Sequence, residues 1–238
     1  MAEYIDQNKW QDALREPDWY VRLDEDFRGL EKYADTLSEA EHQRVKDQAY
    51  GLVEQALADG VLPFAEEGEN LDKERRPIDI IVIHHTKNRP GLSLARLNAI
   101  QLLRIYGRYY ANPTDPREQH FKGQSVWSNH FYKGQQVFWG YHWLVRNDGT
   151  VEQLLADDKI GWHAGNWDIN TRSIGICIDD DLTEKAPTDA AIATISCLVR
   201  KRYAAVKPSN LVGHADINHQ TICPGRLFKS DWRQQILK

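Results

Sequence analysis

Val45, Ala49, Leu52, Val53, Ala56 and Leu57 recur at the spacing of one face of an amphipathic helix. Ser38-Glu39-Ala40-Glu41 precedes them with the form of a capping box, in which serine and glutamate each satisfy an otherwise unpaired backbone group. Gly60 supplies the stop. Upstream, Trp10, Leu14, Trp19, Tyr20 and Leu23 provide apolar material for one or two shorter helices, broken near Pro17. A polar stretch then leads to Pro77, which predicts a helical extension over 1–70 and a linker over 71–77.

Beyond Pro77 the pattern changes period. Residues 78–83 are β-branched except for Asp79, as in a strand buried on both faces, and they run straight into His84-His85-Thr86. Residues 92–106 carry Leu94, Leu97, Leu102 and Ile105 at helical spacing behind the capping residue Ser93. Residues 108–136 have no clear period. Residues 141–146 and 150–154 flank Asn147-Asp148-Gly149, a hairpin signal. Another β run covers 173–178, and Ile192, Ile195, Val199 and Tyr203 stripe a helix over 188–203. Leu211-Val212 leads into His214, and 232–237 suits a short terminal helix. Strands mixed with helices and a hairpin predict an α/β (α+β) fold with a central sheet flanked by helices.

Composition narrows the partners. In 238 residues the longest apolar runs are short, such as 80–83, well below the ~20 residues of a membrane span. Residues 1–76 hold 20 acidic and 10 basic side chains, so that segment carries −10 and the remainder +5 within the overall −5. The basic excess forms no dense stripe, which argues against a nucleic-acid partner. Cys177, Cys197 and Cys223 are odd in number and scattered, unlike a disulfide framework. No basic leader with an apolar core opens the chain, so a cytoplasmic protein as synthesised is expected.

Three residues carry candidate metal chemistry. His84 ends the buried strand, His214 follows a second short apolar run, and Cys223 comes nine positions later in Thr221-Ile222-Cys223-Pro224-Gly225. Two imidazoles and a thiolate suit zinc, and three protein ligands leave a fourth tetrahedral position for water. Among nine histidines, spacing alone does not single out this set.

The order of blocks does more. Ile81-Val82-Ile83-His84-His85-Thr86, Gly140-Tyr141-His142-Trp143, Asn147-Asp148-Gly149-Thr150-Val151, Gly161-Trp162-His163-Ala164-Gly165, Ser173-Ile174-Gly175-Ile176, Gly213-His214-Ala215-Asp216 and Cys223-Pro224-Gly225 together resemble the zinc-dependent N-acetylmuramoyl-L-alanine amidases. That family shares its fold with peptidoglycan recognition proteins and bacteriophage amidase lysozymes. The resemblance runs from about residue 78 to 238, the expected amidase domain.

The resemblance implies a mixed sheet with His84, His214 and Cys223 as ligands to Zn2+. It implies hydrolysis of the amide between N-acetylmuramic acid and L-alanine, on peptidoglycan or muropeptides. Tyr141 and the Thr221 hydroxyl are the implied catalytic donors to the developing oxyanion. His163 matches a position lining the substrate cleft, and Asn166 and Trp167 border the same loop. His85 sits beside the metal position and joins them as a candidate substrate contact, with packing as its simpler task. His142 is expected to point the other way, into the structure. The alternative, from a different class, is a recognition module that binds peptidoglycan without cleaving it; non-catalytic relatives typically lose the cysteine that Cys223 supplies.

Three features depart from parts of the family. Thr221 stands where phage and cytosolic recycling members place a lysine, and Cys177 stands where the recycling enzymes carry a catalytic glutamate. The stretch 108–138, with Trp127, Phe131 and Tyr132, reads as an insertion. Without an export signal, access to the wall implies phage-type lysis or a dedicated secretion route.

Overall fold

Ile81, Val82 and Ile83 have no solvent exposure, the outcome expected for a β-branched run with neighbouring strands on both sides and side-chain layers above and below. The structure is a computed structural model that describes residues 5–34, 36–113 and 116–238. In chain order the strands are β1 (Ile80–His85), β2 (Phe131–Tyr132), β3 (Gln135–Gln136), β4 (Trp143–Val145), β5 (Val151–Gln153), β6 (Ser173–Ile178) and β7 (Leu211–Gly213). Five of them form a sheet in the order β5-β4-β6-β1-β7, and β2-β3 is a separate small hairpin. Only β5 runs antiparallel to its neighbour, so the sheet is mixed, as expected.

Alternation along the strands sorts the sheet into two faces. Ile81, Ile83, Ile174, Ile176, Ile178, Trp143 and Val145 pack with Ala191, Ile192, Ile195 and Val199 of the helix Asp189–Arg202, and with Phe228, Trp232 and Ile236. Val82 pairs with Gly175 and His84 with Cys177 on the alternate positions, so the sequence's chemistry lies on the face away from that helix. The β4–β5 turn closes through Arg146 N–H to the Thr150 carbonyl at 2.8 Å. Its Gly149 adopts φ 86°, a conformation that costs a residue with a Cβ.

The chain forms two compact units, one of residues 1–69 and 93–138, the other of 70–92 and 139–238. In the first, the helix Glu39–Ala58 starts at Ser38 with both capping-box bonds present. Val45, Ala49, Val53 and Ala56 are its buried stripe. The helix Leu94–Gln101, capped by Ser93, joins this unit, with Arg96 paired to Glu54. Sequence patterning grouped 93–138 with the sheet because it follows β1 in the chain; the apolar face of 94–101 is buried within the helical unit instead.

Residues 71–77, expected as a linker, are pinned within the second unit. Asp72 accepts from the Ile160 N–H at 2.8 Å and from the Lys159 ammonium at 3.1 Å. The Arg75 guanidinium donates to the carbonyls of Asp157, Asn170 and Ser173. Side-chain-to-backbone bonds of this kind leave no hydrophobic period to detect.

Tyr20 ties the 121–124 loop of the helical unit. Its hydroxyl lies 3.0 and 2.8 Å from the carbonyls of Phe121 and Gln124 and accepts from the Gly123 N–H. Burial pushes the phenol up to about 12. Because the folded value exceeds the unfolded one near ~10, this contribution is complete below that pH and is lost as pH rises through the folded value. We expect the protein to lose stability through this group as pH rises from about 10 to about 12. In urea titrations Tyr20→Phe should flatten that part of the stability–pH curve; an unchanged slope would remove Tyr20 as its source.

Candidate metal centre

His84 is the fifth of six residues in β1, where the parallel strands end and loops leave the sheet. This end of an open α/β sheet is where binding crevices form. His214 directly follows Gly213, the last residue of β7, as the first residue of the short helix His214–Ile217. The Ala215 N–H donates to the Cys223 carbonyl at 2.7 Å, which returns the 218–223 loop to the strand end. The Thr221 hydroxyl accepts from the Cys223 N–H at 3.1 Å and shapes the same turn.

One donor atom from each of His84, His214 and Cys223 lies within 4.8 Å of the other two. The His84 Nδ1 to Cys223 Sγ separation is 3.8 Å, and the His84 and His214 rings have centroids 4.7 Å apart. Nε2 of His214 is buried with no hydrogen-bond partner. A buried polar atom without a partner is costly and rare, and a cation at the cluster would engage its lone pair. Burial, helped by the neighbouring histidines His214, His163 and His85, holds His84 well below the usual histidine range. Burial also lowers His214, against a hydrogen bond from its ring to the Ala164 backbone. Neutral imidazoles and a cysteine sulfur form the donor chemistry of a three-ligand zinc site.

Tyr141 stands beside this cluster, its ring centroid 5.0 Å from that of His84. It is half-buried, and its hydroxyl hydrogen-bonds the buried Cys177 thiol. Burial and the nearby Cys223 push the Cys177 thiol well up, so it is a neutral partner and no substitute for a carboxylate. His142, expected to point the other way, is fully buried beside the site: its ring centroid lies 5.9 Å from that of His163, Nδ1 accepts from the Gly175 N–H, and Nε2 lies 3.0 Å from the Lys159 carbonyl.

The four expected substrate contacts divide. Asn166 and Trp167 are exposed; Asn166 caps a short helix through the Ile169 N–H, and the Trp167 indole donates to Glu74. His85 and His163 are both about 5% exposed, so neither ring presents a face to a ligand. Nδ1 of His85 accepts from the Leu182 N–H at 2.9 Å, and the ring secures that loop from the opposite side of β1. His163 touches His84 directly, with its Nδ1 3.0 Å from His84 Nε2. Asn170, which accepts from the His163 N–H, carries no motif and escapes sequence reasoning, whereas Ser173, which contacts the His163 ring, is legible in the sequence only as part of a β-strand block.

Fold and site together define a mixed α/β protein with a three-donor cluster that could hold a metal ion at its strand ends. The sequence profile described as N-acetylmuramoyl-L-alanine amidase matches residues 74–226, and the chain belongs to that family. Among similar proteins, the endolysin of Enterobacteria phage T3 is 29% identical over 103 residues, which cover 41% of this chain and 66% of that one. The endolysin of Escherichia phage T7 is 27% identical with the same coverage. The chain thus spans slightly less than two thirds of these curated relatives. Similar solved structures include an N-acetylmuramoyl-L-alanine amidase, LysC, from Clostridium intestinale, at 21% identity and a TM-score of 0.48 over 74% of this chain and 94% of that one. Drosophila peptidoglycan recognition protein SD is 21% identical with a TM-score of 0.40, over 63% and 75% of the two chains. No helix among the described residues is long and apolar enough to cross a membrane.

Proposed function

We propose that the chain hydrolyses the amide between N-acetylmuramic acid and the L-alanine of a peptidoglycan stem, with Zn2+ held by His84, His214 and Cys223. The observation that carries this reading is the convergence of those three donors, drawn from β1, the end of β7 and the following loop, within 4.8 Å. A zinc ion there supplies Lewis acidity, polarising a carbonyl and making water acidic near neutral pH.

The chain's own residues do the rest. The Tyr141 hydroxyl, beside His84, donates to the carbonyl oxygen as negative charge develops on it. Thr221, which already accepts from Cys223 N–H, retains its O–H as a second donor to the same oxygen in this reading. Asn166 and Trp167 border the cleft and meet sugar or peptide, Trp167 with its indole already oriented by Glu74. The amidase chemistry is assigned to the unit of residues 70–92 and 139–238, with 1–69 and 93–138 forming the helical unit. Endolysin relatives support action on the cell wall after release by a phage-type lysis route.

The test pairs metal analysis with release of free stem peptide from purified muropeptides. One zinc per chain together with peptide release supports the proposal. One zinc with muropeptide binding and no release would instead establish a recognition module. No zinc uptake would remove the donor assignment.

A further inference from the structure

His163 and Ala164 are consecutive, and each touches one of the two histidines of the cluster. His163 Nδ1 lies 3.0 Å from Nε2 of His84. The Ala164 backbone is hydrogen-bonded to the ring of His214, and since Nε2 of His214 has no partner, that bond falls to Nδ1. The Oδ1 atom of buried Asn170 accepts from both backbone N–H groups of the pair, at 3.3 Å from His163 and 2.9 Å from Ala164. The far ring nitrogen of His163, Nε2, lies 3.2 Å from the hydroxyl of fully buried Ser173.

We infer that the His163-Ala164 pair, clamped by Asn170, is a positioning device that fixes the tautomers of both metal-binding histidines, rather than a substrate contact. The inference rests on the metal-site reading of His84, His214 and Cys223. Its logic is proton bookkeeping along one line. For Nδ1 of His84 to offer a lone pair toward Cys223 Sγ, 3.8 Å away, its proton must sit on Nε2. Nε2–H of His84 then donates to Nδ1 of His163, and Nε2–H of His163 donates to the Ser173 hydroxyl. The same rule acts on His214, where Nδ1–H donates to the Ala164 carbonyl and leaves Nε2 unprotonated. Outer partners that hold a ligating histidine in one tautomer act through orientation and basicity, without touching the metal.

Gly175 supplies independent support. A Cβ at this position would lie 2.8 Å from ring carbons Cγ and Cδ2 of His163 and 3.2 Å from its Nδ1. The absence of a side chain on β6 is what lets the imidazole reach His84. Gly175→Ala therefore displaces the ring without altering any hydrogen-bonding group of its own.

The decisive measurement is the tautomer of His84 and His214 in the metal-free wild-type protein, by 15N-detected ring correlations. Nε2–H on His84 with Nδ1–H on His214 is expected; Nδ1–H on His84 would overturn the inference whatever any variant does. In chelator competition, His163→Phe and Gly175→Ala should each weaken zinc affinity roughly 10–100-fold. His163→Asn, which keeps an acceptor where Nδ1 stood, should recover most of the loss. Folded His163→Phe binding zinc within about twofold of wild type would also overturn it, since outer partners ordinarily cost more than that. Failure of the wild type to take up zinc would instead strike the metal-site reading, so the two failures are distinguishable.

Discussion

His84→Ala should lose zinc uptake and stem-peptide release together. The side chain sits one residue before the end of a strand whose neighbours fix its backbone by register, β6 through Cys177 opposite it and β7 through Gly213 opposite the preceding Ile83. His85, next in the strand, does not take its place, because its ring faces Leu182 across the sheet. Two donors and an emptied buried corner remain after the substitution. Outer-shell partners already cost roughly 10–100-fold in affinity, so loss of a direct ligand should exceed ~100-fold. Metal content by elemental analysis and peptide release by chromatography check this. A variant that still cleaves at a tenth of the wild-type rate would show that His84 is not a ligand.

Tyr141→Phe separates the metal from the chemistry. The ring packs at 5.0 Å from His84, and phenylalanine keeps that contact while deleting the hydroxyl. Zinc content should therefore remain at the wild-type level. A preorganised donor to an oxyanion is worth roughly 10²–10³-fold in turnover, and kcat should fall by that order. The hydroxyl also bonds the neutral Cys177 thiol, whose own S–H donates to the Ile178 carbonyl, so the variant removes one weak contact to sulfur, a small stability cost beside the catalytic one. Steady-state kinetics on a soluble muropeptide decides the matter. An unchanged kcat would pass the oxyanion role to another group, Thr221 first.

Both predictions depend on how the metal donors came to be identified. The ends of the helices were legible because capping is local: Ser38, Ser93 and Thr188 each accept from a backbone N–H three residues on. β1 was legible because a strand covered on both faces must be apolar at every position, and the β4–β5 hairpin because Asp148-Gly149 favours its turn. His84, His214 and Cys223 were legible only through the order of motifs around them, since the residues themselves are separated by 130 and nine positions.

What the sequence did not contain is which segments fold together. Residues 93–138 follow β1 in the chain yet bury their apolar face in the helical unit, and 71–77 look like a polar linker yet are held by Arg75 and Asp72. Amphipathic periodicity states that a face must be covered but not by what. The same limit applies to His163. Its motif marks a residue near the cleft, whereas only three-dimensional placement puts its Nδ1 against His84 and its Nε2 against Ser173. Local pattern and propensity determined the secondary elements and the donor types. Tertiary structure decided burial, tautomer and partner, because those depend on atoms brought near by the fold from distant parts of the chain.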